Sequence, residues 1–310
     1  MTKTSETAGE VRVFASVDLI GSTALKGKFF SDPRQYPFGK PHWYMSVGAF
    51  YARFLSTLNK AGSKRSKDKR WVLVKGIGDE LMLTQAIRTH HDAHDLAVIF
   101  RNALRTFNAD GGELRVKGCL WLAGFPINNA KIPLPTAKGT ATVEDYLGPS
   151  IDAGFRIAKF ATEHKMIVAV DLALLLTHQR ASNDLRFGFD GQVTLKGVLD
   201  NQTYPLIWIK AVQENADERA AGYTPGECVV PTLHTFCRDF IKKKQEASWL
   251  IMPYLEKDHD YHEQAEWHRK IRAEWLLNEK KISNGRGKDP KSRVGKSAPD
   301  ADQVHSAILQ

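Results

Sequence analysis

Two acidic residues, Asp18 and Asp79, follow apolar runs in the first third of the chain. Asp18 comes directly after Val13–Val17. Asp79 stands beyond a second apolar run, which starts at Trp71 and turns at Gly76–Gly78. The first run is typical of a buried strand, and the second segment of a hairpin with an acid at its tip. Hard divalent cations prefer oxygen ligands, and their sites beside phosphates commonly use one or two carboxylates. The two acids therefore predict a site for Mg²⁺ or Mn²⁺.

A turn of small residues, Gly21, Ser22 and Thr23, follows the first acid closely. The backbone N–H groups of such a turn can donate to phosphate oxygens, because they lack partners in a strand or helix. We therefore expect a triphosphate to contact this turn beside the two acids.

A third segment, DYLGPSIDAGFR, contains a spaced pattern of three charged residues and one of its two glycines. The pattern consists of Asp145, Gly148, Asp152 and Arg156. With Asp18 and Asp79 before it, this segment resembles the class III nucleotide cyclases, the family of adenylyl and guanylyl cyclases. The three motifs occur in the family's order and cover roughly the first two-thirds of the chain. The family usually has Asn where this chain has Asp152.

The resemblance implies a reaction and a set of ligands. Such cyclases convert a nucleoside triphosphate to a 3′,5′-cyclic monophosphate and pyrophosphate. By resemblance, Asp18 and Asp79 bridge two divalent ions, Mn²⁺ or Mg²⁺, and the Leu19 carbonyl completes one coordination sphere. Arg156 would stabilise the charge on the five-coordinate phosphorus, for which a planar guanidinium is suited. Lys196 resembles a Lys near the family's triphosphate site, although LKG is also a common strand end.

The resemblance also implies how the base is read. In adenylyl cyclases a Lys donates to adenine N1 and an Asp accepts from the N6 amino group, and Lys75 and Asp145 match these positions. The guanylyl version has Glu at the Lys position, which argues against guanine. The same pair suits uracil and cytosine, so hydrogen bonding alone leaves the base open. Pocket size is a second selector, because the aromatic residues Phe50, Tyr51 and Phe54 either crowd the base pocket or belong to the core.

A soluble cyclase with no sensor domain and with Asp152 in place of Asn looks like the bacterial pyrimidine cyclases of the Pycsar anti-phage system. In that family cyclic UMP or cyclic CMP activates a separate effector that kills or arrests the infected cell. This resemblance favours UTP as substrate, with CTP and ATP as alternatives. An ionised Asp152 cannot donate to the ribose ring oxygen, so it accepts from a ribose hydroxyl, acts through a water molecule, or caps its helix. A more distant alternative is an inactive cyclase-like module that binds nucleotide or nucleic acid.

The resemblance implies a homodimer with shared sites. In the family the metal carboxylates come from one subunit, and the residues that contact the base and ribose come from the other. Lys75 and Asp79 lie four residues apart. Each chain of a homodimer would therefore serve both sites.

The apolar pattern predicts an α+β domain with a mostly antiparallel sheet and helices packed on it, a ferredoxin-like layer. Its strand order is taken from the family. The predicted strands and hairpins are Val11–Val17, Trp71–Thr84, Leu114–Leu122, Met166–Val170, Val193–Val198 and Thr203–Ile209. The predicted helices are Trp43–Leu58, Ala86–Phe107, Gly148–Ala161 and Leu172–Thr177, with a loop or arm at Phe125–Val143. We expect a disordered leader (1–10), a catalytic domain (11–212), a helical extension (213–279) with helices at Leu233–Leu255 and His262–Asn278, and a disordered basic tail (280–310).

Composition limits the compartment and the partners. The 310 residues carry a net charge of +9, which suits an anionic partner such as a nucleoside triphosphate. The basic run 60–70 lacks the interleaved aromatics of a nucleic-acid surface, so nucleic acid is disfavoured. No apolar run approaches the ~20 residues of a membrane span and the N-terminus is polar, so we expect a cytoplasmic protein without a membrane partner. Three cysteines argue against a disulfide framework. His90 and His94 have a spacing that can chelate zinc, but we expect them on a solvated helix face.

Overall fold

The computed structural model describes residues 9–28, 42–65, 69–110, 112–135, 142–178, 184–212 and 227–263, and a few residues between 266 and 277. The chain divides into two compact units, Met1–Ala265 and Glu266–Gln310. In the second unit the described residues are helical, and Glu266 pairs with Lys270 at 3.0 Å. The predicted tail, most of the leader and most of the helix predicted at His262–Asn278 lie outside the described residues. The domain boundaries remain predictions.

The first unit is built on a seven-stranded sheet. Its strands are β1 (Glu10–Leu19), β2 (Val72–Ile77), β3 (Glu80–Ile87), β4 (Val116–Phe125), β7 (Lys165–Val168), β8 (Phe187–Thr194) and β9 (Thr203–Lys210). Two further strands, β5 (Ala130–Pro135) and β6 (Thr142–Leu147), pair with each other in a separate sheet. The order across the large sheet is β2-β3-β1-β4-β7-β9-β8, and only the β4–β7 pair is parallel among the described strands. The predicted mostly antiparallel α+β fold is confirmed.

Six helices are assigned in the described part of the first unit. They are α1 (Ser22–Lys28), α2 (His42–Ala61), α3 (His90–Ala109), α4 (Pro149–Ala158), α5 (Val170–Leu176) and α6 (Val230–Lys244). In the described residues, no helix combines the length and the apolar content that a membrane span requires.

Strand β1 lies inside the sheet, and its alternating side chains define two faces. It is hydrogen-bonded to β3 on one side and to β4 on the other, and Val13–Ala15 and Val17 are fully buried. Val17 is paired with Gly118 of β4, where an added Cβ would lie 2.7 Å from Leu104 of α3. Because successive side chains of a strand point to opposite faces, Phe14, Ser16 and Asp18 point away from α3.

Helix α4 covers part of this second face. Trp121 is paired with Phe14 across β1 and β4, and the two rings stack at 5.8 Å. A Cβ added at Gly154 of α4 would lie 2.3 Å from the Trp121 indole, so only glycine permits this close approach. The contact holds α4 on the same face of the sheet as Asp18.

Several predicted boundaries are wrong for local reasons. Helix α3 begins at His90 and not at Ala86, because β3 continues to Ile87 and the capping box of Thr89 and Asp92 begins the helix. The predicted arm at Phe125–Val143 contains β5 and the start of β6.

Two differences affect the end of the first unit. Strand β8 spans Phe187–Thr194, so most of the predicted strand Val193–Val198 lies in the turn that follows it. The helix predicted over Leu233–Leu255 is α6, which ends at Lys244. There the Ser248 hydroxyl donates to the Lys244 carbonyl at 2.9 Å, which satisfies one of the last carbonyls of the helix.

Candidate active site

The two acids that the sequence singles out meet at one end of the sheet. Asp18 lies near the end of β1, and Asp79 lies in the turn between β2 and β3. The backbone N–H of Leu19 donates to the Asp79 carbonyl at 3.2 Å. Burial is the main cause of a raised pKa at Asp18, and the negative charge of Asp79 adds to the rise. The two carboxylates are therefore close enough to interact.

Each of the two acids is paired with a lysine. Lys117, opposite Asp18 on β4, places its Nζ 3.2 Å from the Asp18 carboxylate. Burial raises the pKa of Asp18, and the hydrogen bond from Lys117 offsets part of that rise. Lys26 lies 3.3 Å from Asp79, and the Ser22 hydroxyl also donates to Asp79. Burial would raise the pKa of Asp79, but these hydrogen bonds outweigh it and the pKa is lowered.

A third carboxylate, Glu80, belongs to the same cluster and was missed by the sequence reasoning. It is paired directly opposite Asp18 in the β1–β3 register, so the two side chains point to the same face. Burial raises the pKa of Glu80, a hydrogen bond from Ser16 lowers it, and the charge of Asp18 raises it further. The available signal was the Asp79–Glu80 dipeptide at the hairpin tip, with Glu80 at the first position of β3.

The predicted phosphate turn is only partly available for a ligand. Gly21 has φ +73°, a left-handed conformation that glycine adopts without strain, and α1 begins directly after it. The Ser22 side chain is buried and its hydroxyl is committed to Asp79, whereas Thr23 is exposed. In this structure Ser22 supports the Asp79 carboxylate.

The predicted base-reading pair is brought together on the same face. Lys75 Nζ lies 2.6 Å from Asp145 Oδ1, and their side chains are 38% and 24% exposed. The hydrogen bond from Lys75 holds the pKa of Asp145 below its usual value. Lys75 is paired with Met82 of β3, two residues beyond Glu80, so its side chain shares the face that carries Asp18.

Asp152 and Arg156 lie on the exposed side of α4, four residues apart. The opposite side of the helix packs on β4 through Gly154. No hydrogen bond or ion pair joins either side chain to another described residue, and α4 has no side-chain cap. Within a single chain, the described contacts do not bring Asp152 or Arg156 to the two acids.

The aromatic residues of α2 do not support the crowded-pocket hypothesis. Phe50 and Phe54 are fully buried and pack against Phe107 of α3, as the alternative core interpretation held. The Tyr51 hydroxyl donates to the Gly78 carbonyl at 2.6 Å, and a Cβ added at Gly76 would meet it at 2.7 Å. Because Gly76 and Lys75 are neighbours in β2, Tyr51 and the Lys75 side chain lie on opposite faces. Tyr51 therefore braces the hairpin and does not lie beside the Lys75–Asp145 pair.

Two weaker predictions have different outcomes. Lys196 is exposed in the turn after β8, and no hydrogen bond or ion pair joins it to another described residue. Its proposed contact with a triphosphate stays a prediction. The expectation that His90 and His94 line a solvated helix face is wrong, because both are buried, 3% and 6% exposed. Asp258 and Tyr261, near the end of the first unit, contact His90.

Comparisons with known proteins give structural likenesses to cyclases and no family assignment. No protein-family model matches the sequence, and no curated protein matches it significantly. The structure is similar to the adenylyl cyclase CyaB from P. aeruginosa, with 13% identity and a TM-score of 0.47 over 68% of this chain and 98% of that one. It is similar to the guanylate cyclase domain of RhGC from Catenaria anguillulae in complex with GTP, with 11% identity and a TM-score of 0.46 over 66% and 100%. It is also similar to the guanylyl cyclase Cya2, with 14% identity and a TM-score of 0.45 over 68% of this chain and 96% of that one. These likenesses are too distant to carry an activity, so the function has to follow from the residues of the site.

Proposed function

We propose that this protein is a class III nucleotide cyclase, which converts a nucleoside triphosphate to its 3′,5′-cyclic monophosphate and pyrophosphate. The observation that carries the proposal is the convergence of Asp18 and Asp79 at one end of the sheet, where Leu19 bonds to the Asp79 backbone. The Lys75–Asp145 pair on the same face supplies one donor and one acceptor for the edge of a base. A site for cations and a base-reading pair on one face are what this reaction requires.

Asp18, Asp79 and the Leu19 carbonyl would hold two divalent ions, Mn²⁺ or Mg²⁺. The donor set fits, because it consists of oxygens, which hard cations prefer. Each carboxylate is already neutralised by a lysine, Lys117 or Lys26, whose flexible stem allows it to withdraw. When bound, the ions would lower the pKa of the attacking 3′-hydroxyl and neutralise triphosphate charge.

The other predicted site residues would contact the base and the phosphates of the substrate. Lys75 and Asp145 would exchange their mutual bond for hydrogen bonds to the base. The turn at Gly21–Thr23 and the exposed Lys196 would contact phosphate oxygens, and Tyr51 would act on the site only through the hairpin that it braces.

Arg156 and Asp152 would act across the interface of a homodimer. Both are exposed on α4 and lack partners among the described residues, so a second chain can receive them. Arg156 would stabilise the charge that develops on the phosphorus, and Asp152 would accept from a ribose hydroxyl. Each chain would thus give its acids to one site and its α4 residues to the other.

UTP is the substrate that we place first, ahead of CTP and ATP. The support is Asp152, which departs from the usual Asn in the manner of the pyrimidine cyclases that the sequence resembles. The product, cyclic UMP, would act as a second messenger in anti-phage defence and reach a separate effector. Because Phe50 and Phe54 belong to the core, pocket crowding no longer supports this choice.

The direct test incubates the purified chain with Mn²⁺ and each of the four ribonucleoside triphosphates, and separates the products by chromatography. We expect a cyclic monophosphate, with the fastest turnover for UTP. Asp79→Asn should abolish it, while Asp239→Asn, an exposed acid on α6, should leave the rate unchanged. Triphosphate binding without any cyclic product would replace the cyclase by an inactive binding module.

A further inference from the structure

A second group of chelating side chains lies where α3, α5 and the segment 255–261 meet. His90 begins α3, His178 lies two residues beyond α5, and Asp260 belongs to the segment. One ligand atom from each lies within 4.8 Å of the others. His178 Nε2 is 3.7 Å from Asp260 Oδ2, and the His90 and His178 ring centroids are 4.6 Å apart. The residues come from three distant parts of the sequence, which is why helical spacing alone could not reveal them.

Asp258 orients the His90 ring. One Asp258 oxygen accepts from the His90 backbone N–H at 2.5 Å and lies 2.8 Å from the His90 Nδ1. The same Asp258 oxygen accepts from the backbone N–H, so Nδ1 of the neutral imidazole donates to it as well, which leaves the lone pair on Nε2. A carboxylate that holds the far nitrogen is the usual partner of a metal-ligating histidine.

The Nε2 of His90 is buried and has no hydrogen-bond partner among the described residues. The residue as a whole is 3% exposed. A buried acceptor that lacks a partner is costly, and native structures contain few of them. His90 offers one ring nitrogen to the group that includes His178 and Asp260. Because Asp258 holds Nδ1, a cation bound through Nε2 would satisfy the unpartnered nitrogen.

We propose that His90, His178 and Asp260 bind one Zn²⁺ ion, with Asp258 as the positioning residue of His90. Two imidazoles and one carboxylate are typical zinc ligands, whereas Mg²⁺ and Ca²⁺ prefer oxygens alone. Tetrahedral ligands on bonds of about 2.0–2.1 Å lie about 3.3 Å apart, close to the 3.7 Å between His178 and Asp260. Water would take the fourth position.

The ion would fasten the end of the first unit to its helices. The segment is already held by the Tyr261 hydroxyl, which donates to the Leu174 carbonyl of α5 at 3.3 Å. Asp258 also accepts from the backbone of Asp260 and Tyr261, which fixes the turn that carries the ligand. Since Zn²⁺ would bind the folded arrangement, it should raise the stability of the protein.

The test titrates Zn²⁺ into the metal-free full chain, made without a histidine tag, by calorimetry and thermal melting. We expect one Zn²⁺ per chain and a higher melting temperature. His178→Asn and Asp260→Asn should each weaken Zn²⁺ binding at least about tenfold. Substitution of a residue that only orients a metal ligand already costs about this much, so loss of a ligand should cost no less. His164→Asn, which alters an exposed histidine outside the group, should bind as the unchanged chain does.

Two comparisons separate this site from the proposed catalytic one. Asp79→Asn should bind Zn²⁺ normally, because the two sites share no residue. The Asp260 side chain is partly exposed, 26%, so Asp260→Asn should still fold in the presence of a chelator, and it decides the matter if His178→Asn fails to fold. Absence of Zn²⁺ binding, equal affinity in Asp260→Asn, or loss of binding in Asp79→Asn would each overturn the zinc site.

Discussion

The protein places its carboxylates in two contrasting environments, the end of the sheet and the surroundings of α5. At the sheet end, Asp18 and Asp79 are 33% and 26% exposed, and each lies beside a lysine. Around α5, Asp171 and Asp258 are 8% and 4% exposed and bond mainly to backbone N–H groups. A lysine can be exchanged for a metal ion, whereas a backbone donor cannot leave. The contrast therefore separates acids available for a ligand from acids that hold the fold.

The largest expected effect concerns the sheet end. Asp79→Asn should lower cyclic-nucleotide formation by more than about a thousandfold, because it removes a charged ligand from the proposed cation site. The melting temperature should change little, since Asp79 is partly exposed. Initial rates with Mn²⁺ and melting curves measure both. A variant that keeps more than a tenth of the rate would show that Asp79 is no metal ligand.

A buried acid around α5 should behave in the opposite way, with a change in stability. Burial raises the pKa of Asp171 to about 7, above its unfolded value of 3.8. The folded state therefore binds this proton more tightly than the unfolded state. The stability that results, about 4 kcal/mol, is fully present below about pH 4 and is lost as the pH rises through about 7. Asp171→Asn should therefore flatten the pH dependence of the free energy of unfolding. Urea titrations at about pH 5 and pH 8 test this, and an unchanged dependence would contradict the assignment.

Arg156 should matter for the rate and hardly for the fold. Arg156→Ala should lower kcat by roughly 10²–10³-fold with little change in KM, the cost of losing one transition-state contact. Lys159→Ala is the matched control, because this exposed residue follows α4 directly. Equal losses in both variants would point to a general disturbance of α4.

The Lys75–Asp145 pair should affect the choice of base. Lys75→Gln should reduce kcat/KM by roughly 10–100-fold, as expected for a hydrogen bond from a charged group, and it should change the ranking of UTP, CTP and ATP. Competition among the three triphosphates measures the ranking. A uniform loss for all of them would place Lys75 outside the base site.

The smallest effect is expected at Asp152. Asp152→Asn should lower kcat/KM by roughly tenfold, because the amide loses the charge that strengthens an accepted hydrogen bond. The capping alternative has no support, since α4 begins without a side-chain cap. A rate unchanged by the substitution would remove Asp152 from ribose binding.

The sequence predicted the elements around β1 because their signals are local. An apolar run that ends in an acid marks both β1 and the β2–β3 hairpin, and small residues mark the turn at Gly21. The resemblance to cyclases, in turn, matched Lys75 to Asp145 across 70 positions, and the structure joins the two. Strand pattern alone could not have paired them, because β6 belongs to a separate sheet.

Other features depend on packing that a single sequence does not express. Phe50 and Tyr51 are adjacent on α2, yet Phe50 is buried in the core and Tyr51 braces the hairpin. Helical spacing alone cannot predict which face of the sheet a helix packs on, so it left both residues as candidates for the base pocket. The burial of His90 depends on Asp258, which lies 168 positions away. Glu80 enters the acidic cluster only through its register with Asp18.

Mixing two inactive chains tests most directly whether the acids and Arg156 form shared sites. Asp18→Ala and Arg156→Ala chains, unfolded together and refolded at equal amounts, should form heterodimers with one intact site each. About half of the dimers would be heterodimers, and each would have one of its two sites intact. About a quarter of the wild-type rate should therefore return. A mixture that forms dimers but stays as inactive as its components would contradict the account.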